Sequence, residues 1–166
     1  GKLGLVLFQF PPWFHFREDN LAYLSECRAK LPQYRLAVEF RTSDWLNENN
    51  RETTIAFLKQ HDLTLVCVDE PQGTKSSVPP ITAVTTGIGY VRFHGRNADN
   101  WEKKGIPAED RFSYLYTEDE LKEWANRIQL MAQEAKEVHV IFKNKTRDFP
   151  VRNALQMRQL LGLSTG

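Results

Sequence analysis

The stretch "YVRFHGR", residues 90–96, sets Arg92, His94 and Arg96 at alternate positions of a segment that otherwise reads as a strand. Successive side chains of a strand point to opposite faces, so Val91 and Phe93 share one face while Arg92 and His94 share the other. The apolar face suits a layer of helices. The basic face needs a setting in which charge is useful or paired. The lumen of a (β/α)8 barrel is such a setting, because barrel active sites lie at the C-terminal ends of the strands. The second strand candidate, "RLAVEF" at 35–40, repeats the pattern. Leu36, Val38 and Phe40 suit the helix side, which leaves Glu39 and then Arg41 pointing inward beside Arg92 and His94. Gln9 and Asp69 stand at the ends of their own strands. An isolated buried charge costs several kcal/mol, so Arg92 requires a partner, and Glu39 is the natural one.

Outward from this stretch the chain alternates strands and helices. Residues 3–10 form an apolar run stopped by Pro11 and Pro12. Residues 17–31 carry Leu21, Leu24, Cys27 and Leu31 at near-helical spacing, and Pro32 ends that helix. Asn50 is the expected N-cap of a helix reaching about His61. "LTLVCVDE", 63–70, is the third strand, followed by a loop rich in Pro, Gly and Ser at 71–80 and a short "ITAVT". A long polar connection, 95–116, precedes the clearest helix. There Thr117 and Glu120 form a capping box, and Leu121, Trp124, Ala125, Ile128, Met131, Ala132 and Ala135 follow at helical spacing. "EVHVIFKN", 137–144, is the last strand and 149–161 the last helix. Near-continuous apolar strands alternating with helices imply a parallel α/β sheet, either doubly wound or part of a barrel. No G-x-G-x-x-G or P-loop follows the first strand, which weakens the dinucleotide-binding version.

Composition limits the function classes. The 166 residues are enough for a single domain, 1–166, with its own core. Apolar residues are 41% and charged residues 26%, and the net charge is +1, so any anion site is local rather than a property of the whole surface. No apolar run approaches the roughly 20 residues of a transmembrane helix, and the N-terminal stretch does not read as a signal peptide. The two cysteines, Cys27 and Cys67, form neither a disulfide framework nor a zinc site. Buried thiols of this kind fit a reducing compartment, so a cytoplasmic location is expected.

The segments "LFQFPPWF", "AVEFR" followed by "DW", "VDEP", "VRFHGRN", "RFSYLYTEDELKEWANRI" and "RDFPVRNALQM" together resemble the YecE/YunF-like family, domain of unknown function 72. The resemblance spans nearly the whole chain, with the motifs in the family's order. It implies a TIM-barrel fold, of which members run to about 250 residues. This chain is shorter by about a third of that size. Its first strand looks like the family's fourth, so the resemblance implies strands four to eight of a (β/α)8 barrel without the first three. Members tend to read F-N-N after the last strand, whereas Phe142-Lys143-Asn144 stands here. The family offers no established reaction.

Three functional readings follow. The first is an anion site. Barrel loops after strands seven and eight often bind phosphate. Here they are His94-Gly95-Arg96-Asn97 and Asn144-Lys145-Thr146-Arg147, so Gln9, Arg41, Arg92, Arg96, Asn97 and Asn144 are the expected ligand-binding residues. Arginine offers forked donors that match phosphate, and Gly95 permits close backbone approach. The ligand would be a phosphorylated small molecule or a nucleic-acid backbone. The plainer alternative is that Arg92 and Arg96 pair with Glu39 and Asp69 and brace the barrel mouth. The second reading is chemistry by Glu39, Asp69 and His94. They would act as a divalent-metal set of the barrel nuclease or sugar isomerase type, or with His94 as acid or base near neutrality. No close ligand spacing supports the metal version, and no cofactor is identified. The third is a non-catalytic ligand-binding or structural barrel. In it Trp45, Trp101, Phe112, Tyr114 and Tyr116 would stack on bases or sugars, or simply anchor loops. Five strands cannot close a barrel of this kind, so the open edges are expected to pair with the rest of the barrel or with another copy.

Overall fold

Apolar runs of four to seven residues bounded by prolines and turns form the strands of a computed structural model that describes residues 3–74, 76–144 and 146–163. In chain order these are β1 (Val6–Gln9), α1 (Glu18–Lys30), β2 (Leu36–Glu39), a single 3-10 turn (Ser43–Trp45), α2 (Arg51–Gln60) and β3 (Leu63–Asp69). They continue with β4 (Ile88–Phe93), α3 (Ala98–Trp101), α4 (Ala108–Arg111), α5 (Glu118–Glu134), β5 (Glu137–Phe142) and α6 (Phe149–Leu160). All four strand pairings are parallel, and the strand order is β1-β2-β3-β4-β5. The fold is therefore α/β, a five-stranded parallel sheet alternating with helices. The order never reverses, so the switch point that defines a doubly wound dinucleotide fold is missing among the described strands.

Register fixes which side chains share a face. Val38 lies opposite Leu65, and Phe93 lies opposite both Asp69 and Phe142. Leu36, Val38, Phe40, Leu65, Cys67, Val91 and Phe93 are buried on the helix side. There Phe40 stacks on Trp45 at 4.2 Å, Phe93 stacks on Phe142 at 4.4 Å, and Phe93 meets Trp124 of α5 edge-on at 5.3 Å. The opposite face carries Gln9, Glu39, Arg41, Glu70, Tyr90, Arg92 and His94.

That second face is concave. In a flat sheet the outer strands of five lie about 19 Å apart, at about 4.8 Å per neighbour. Yet Gln9 Oε1, at the end of β1, is 3.5 Å from Lys143 Nζ, just past the end of β5. At the other end of the strands Arg35 reaches Glu137. Side chains from distant strands meet across the hollow because the sheet curls, as right-handed strand twist accumulates.

The capping box at α5 forms as its sequence requires: Thr117 accepts from the Glu120 N–H, and the Glu120 side chain accepts from the Thr117 N–H. Its buried stripe is Leu121, Trp124, Ala125, Ile128 and Met131. Asn50 departs from expectation. It occupies the N-cap position of α2 but at φ −113°, ψ −15°, a helical conformation from which its side chain does not cap. Its amide donates instead to the Asp44 carbonyl at 2.8 Å, and Asn47 Oδ1 accepts from the N–H groups of Asn49 and Asn50. The "ITAVT" segment adds no strand. Thr85 binds β3 through its side chain, accepting from the Leu65 N–H and donating to the Leu63 carbonyl. Among the described residues no helix is long and apolar enough to cross a membrane.

Candidate functional site

At the C-terminal end of the concave face, strand alternation brings Gln9, Glu39, Arg41, Glu70, Arg92 and His94 together. Arg92 is paired with Glu39 as the alternation predicts, and Glu39 is fully buried. Gln9 Oε1 accepts from Arg92 Nη1 at 3.2 Å. His94 Nε2 lies 2.9 Å from Glu39 Oε1. Burial opposes ionisation of Glu39, but the His94 hydrogen bond and the Arg92 and Arg41 charges outweigh it and hold the carboxyl down at about 2. Burial likewise lowers His94 to about 4, against the pull of Glu39, so its imidazole is neutral at neutral pH. A neutral imidazole beside a carboxylate must carry its proton on Nε2. That leaves Nδ1 as a bare lone pair, and among the described residues this buried atom has no hydrogen-bond partner.

Arg41 and Glu70 complete the cluster. Arg41 Nη1 sits 3.4 Å from Glu39 Oε1 and 3.8 Å from Glu70 Oε2, and its guanidinium lies over the Trp101 ring, 5.0 Å from the centroid. Trp101 and Phe112, from the 95–116 connection, roof this end. The His94 ring lies 6.4 Å and 6.3 Å from them, and Lys143 Nζ lies over Phe112. Glu70 was not expected from the sequence, which singled out Asp69. Register decides between them: with Val68 opposite Arg92, position 70 falls on the Arg92 face and position 69 on the other.

Asp69 accordingly points into the helix layer, which corrects its expected convergence with Glu39 and His94. Its carboxylate accepts from Tyr116 Oη and Trp124 Nε1, both at 2.6 Å, and from Arg96 through Nε at 3.0 and 3.1 Å and Nη2 at 2.6 Å. Arg96 also lies 3.4 Å from Glu120 and 3.7 Å from Glu123. The Arg96 guanidinium is thus committed within the protein, and Asp69 pushes its pKa up. Gly95 adopts φ +90°, but the close approach it permits is to Tyr114, whose Cβ would stand 2.8 Å from an added methyl. Its N–H is spent on Tyr116 Oη. Asn97 donates to the carbonyls of Asp110 and Ser113, and Asn144 donates to the Tyr114 carbonyl while accepting from the Thr146 N–H. Both brace loops here. Lys145, part of the second expected anion loop, lies outside the described residues. Cys67 is buried with its thiol pushed up to about 11, which suits packing rather than nucleophilic attack.

Residues 1–166 match the family described as "Protein of unknown function DUF72". The chain belongs to this family. It is 36% identical over 167 residues to UPF0759 protein YunF of Bacillus subtilis (strain 168), a match covering 98% of this chain and 59% of that protein. The crystal structure of a DUF72 family protein from Enterococcus faecalis V583 superposes with a TM-score of 0.91 at 36% identity, covering 99% of this chain and 61% of that one. Another DUF72 structure, from Thermotoga maritima MSB8, gives 0.86 at 38% identity, covering 97% and 58%. The chain spans about three fifths of the length of these DUF72 relatives.

Proposed function

We propose that the concave end of the sheet binds a small anionic ligand of the phosphate class, with Arg41 as its principal anchor and Arg92 and Lys143 as flanking cations. The observation that carries this reading is the contrast between two arginines. Arg96 has its fork filled by Asp69. Arg41, among the described residues, makes a single long hydrogen bond at 3.4 Å and rests on an aromatic face. A guanidinium that is shielded but loosely held is preorganised for a bidentate oxyanion. Local charge agrees, since Arg92 and Arg41 both act on the one carboxylate that is firmly ionised, Glu39, and Lys143 adds a third cation that acts on the neighbouring His94.

In the same reading the curled sheet is strands four to eight of a (β/α)8 barrel. The mouth then lies where barrels bind phosphate, although the cations differ from the loop residues that the sequence favoured. Calorimetric titration with inorganic phosphate and a simple phosphate monoester tests the site. Arg41→Ala should weaken binding at least tenfold and reduce its salt dependence. Arg96→Ala should leave affinity within about twofold per folded molecule, whereas an effect equal to that of Arg41→Ala would move the site to the 94–97 loop.

A further inference from the structure

We propose that Glu70 meets the bound anion as a carboxylic acid, so that the mouth takes up an oxyanion together with one proton. The proposal rests on the anion-site reading above and adds to it the identity of the donor. Glu70 Oε1 accepts the Val78 N–H at 2.7 Å, from the loop that follows β3. Among the described residues Oε2, on a side chain with no solvent exposure, has no hydrogen-bond partner, and it points at Arg41 Nη1 from 3.8 Å, beyond hydrogen-bond reach. A buried acceptor aimed at a cation, yet not bonded to it, is an unfinished arrangement, because buried polar atoms are nearly always satisfied.

The groups facing Glu70 show which form finishes it. Arg41 favours the carboxylate, as does the Val78 N–H. Burial opposes the carboxylate, and so do Glu39 on the neighbouring strand β2 and Asp69 next in the chain. Burial dominates and pushes Glu70 up to about 7. An anion arriving at Arg41 adds another negative charge and draws the guanidinium away, both of which favour the acid further. With Oε1 already engaged, the proton belongs on Oε2. From there it can be donated to an anion oxygen lying against Arg41. The proton comes from solvent and stays on Glu70, and no covalent bond is made or broken.

The test uses inorganic sulfate, which does not itself titrate near neutrality, in calorimetry at pH 7.5 in buffers of different ionisation enthalpy. Wild type should take up most of one proton per sulfate bound, and its affinity should fall toward tenfold per pH unit above pH 7. Glu70→Gln keeps an acceptor for Val78 and a donor for the anion. It should bind within a few-fold of wild type, with no proton uptake attributable to this site and a flat pH profile. Wild-type binding that is pH-independent and proton-neutral, yet lost in Arg41→Ala, would overturn the Glu70 proposal and leave the anion site standing. Sulfate and phosphate that fail to bind wild type, or bind Arg41→Ala equally well, would overturn the site itself. If Glu70→Gln fails to fold, the wild-type proton count and pH profile still decide.

Discussion

Asp69 and Glu70 are adjacent carboxylates with opposite surroundings. Asp69 is ringed by donors from Tyr116, Trp124 and Arg96, while Glu70 has, among the described residues, one backbone donor and one distant guanidinium. Removing Arg96 should therefore damage the fold. Arg96→Ala leaves a buried carboxylate without its cation, and a loss of about 3 kcal/mol is expected in urea unfolding. The sign for Glu70 is the reverse. Its folded pKa, raised to about 7 from 4.5, means that the native state holds more protons than the unfolded chain between those values. Its favourable contribution is full below about pH 4.5 and is lost as pH rises through 7, with a slope of up to about 1.4 kcal/mol per pH unit. Glu70→Gln should accordingly raise the Tm relative to wild type more at pH 8 than at pH 5, and an equal shift at both would contradict the raised pKa. His94 acts at the acid side. Burial lowers it to about 4, so stability is lost as pH falls from 6.5 through 4. The Glu39–Arg92 pair was legible in the sequence because alternation and the cost of an unpaired charge both require it. The outward turn of Asp69 was not, because strand parity at the end of β3 depends on register with β4, which local sequence does not specify.

Among the elements, α5 was the most legible. Thr117, Glu120 and an apolar stripe at helical spacing are local signals, and all three are realised. Thr117→Ala should cost about 1 kcal/mol by thermal or urea unfolding, the usual value of a side-chain cap. Asn50 shows the limit of the same rule: a residue type suited to capping does not cap when its backbone is already helical, and its amide bonds the Asp44 carbonyl instead. The 95–116 connection was harder still, since its order comes from tertiary contacts. Trp101 and Phe112 roof the mouth, and Tyr114 and Tyr116 pack around Gly95. Gly95 at φ +90° admits no side chain without displacing Tyr114, so Gly95→Ala should destabilise by a few kcal/mol, measurable as a lowered urea midpoint.

Across the whole molecule the sheet curls but does not close among the described residues, leaving β1 and β5 as its outer strands. Alternating apolar segments made a parallel α/β sheet legible. The curvature became visible only through contacts between distant strands, such as Gln9 with Lys143. In the barrel reading, the edges of β1 and β5 are pairing surfaces, and the isolated 166-residue chain should self-associate through them as concentration rises. Sedimentation equilibrium checks this, and a monomer that stays monomeric at high concentration would favour a self-sufficient open sheet. The anion site is tested most directly by soaking crystals of the protein in a phosphate monoester and locating the phosphorus. A tetrahedral group within hydrogen-bond distance of the Arg41 guanidinium, on the Arg92 and Lys143 side of the hollow, is the expected result. A phosphate seated instead on Arg96 and Asn97, with Arg41 unmoved from Trp101 and Glu39, would contradict it.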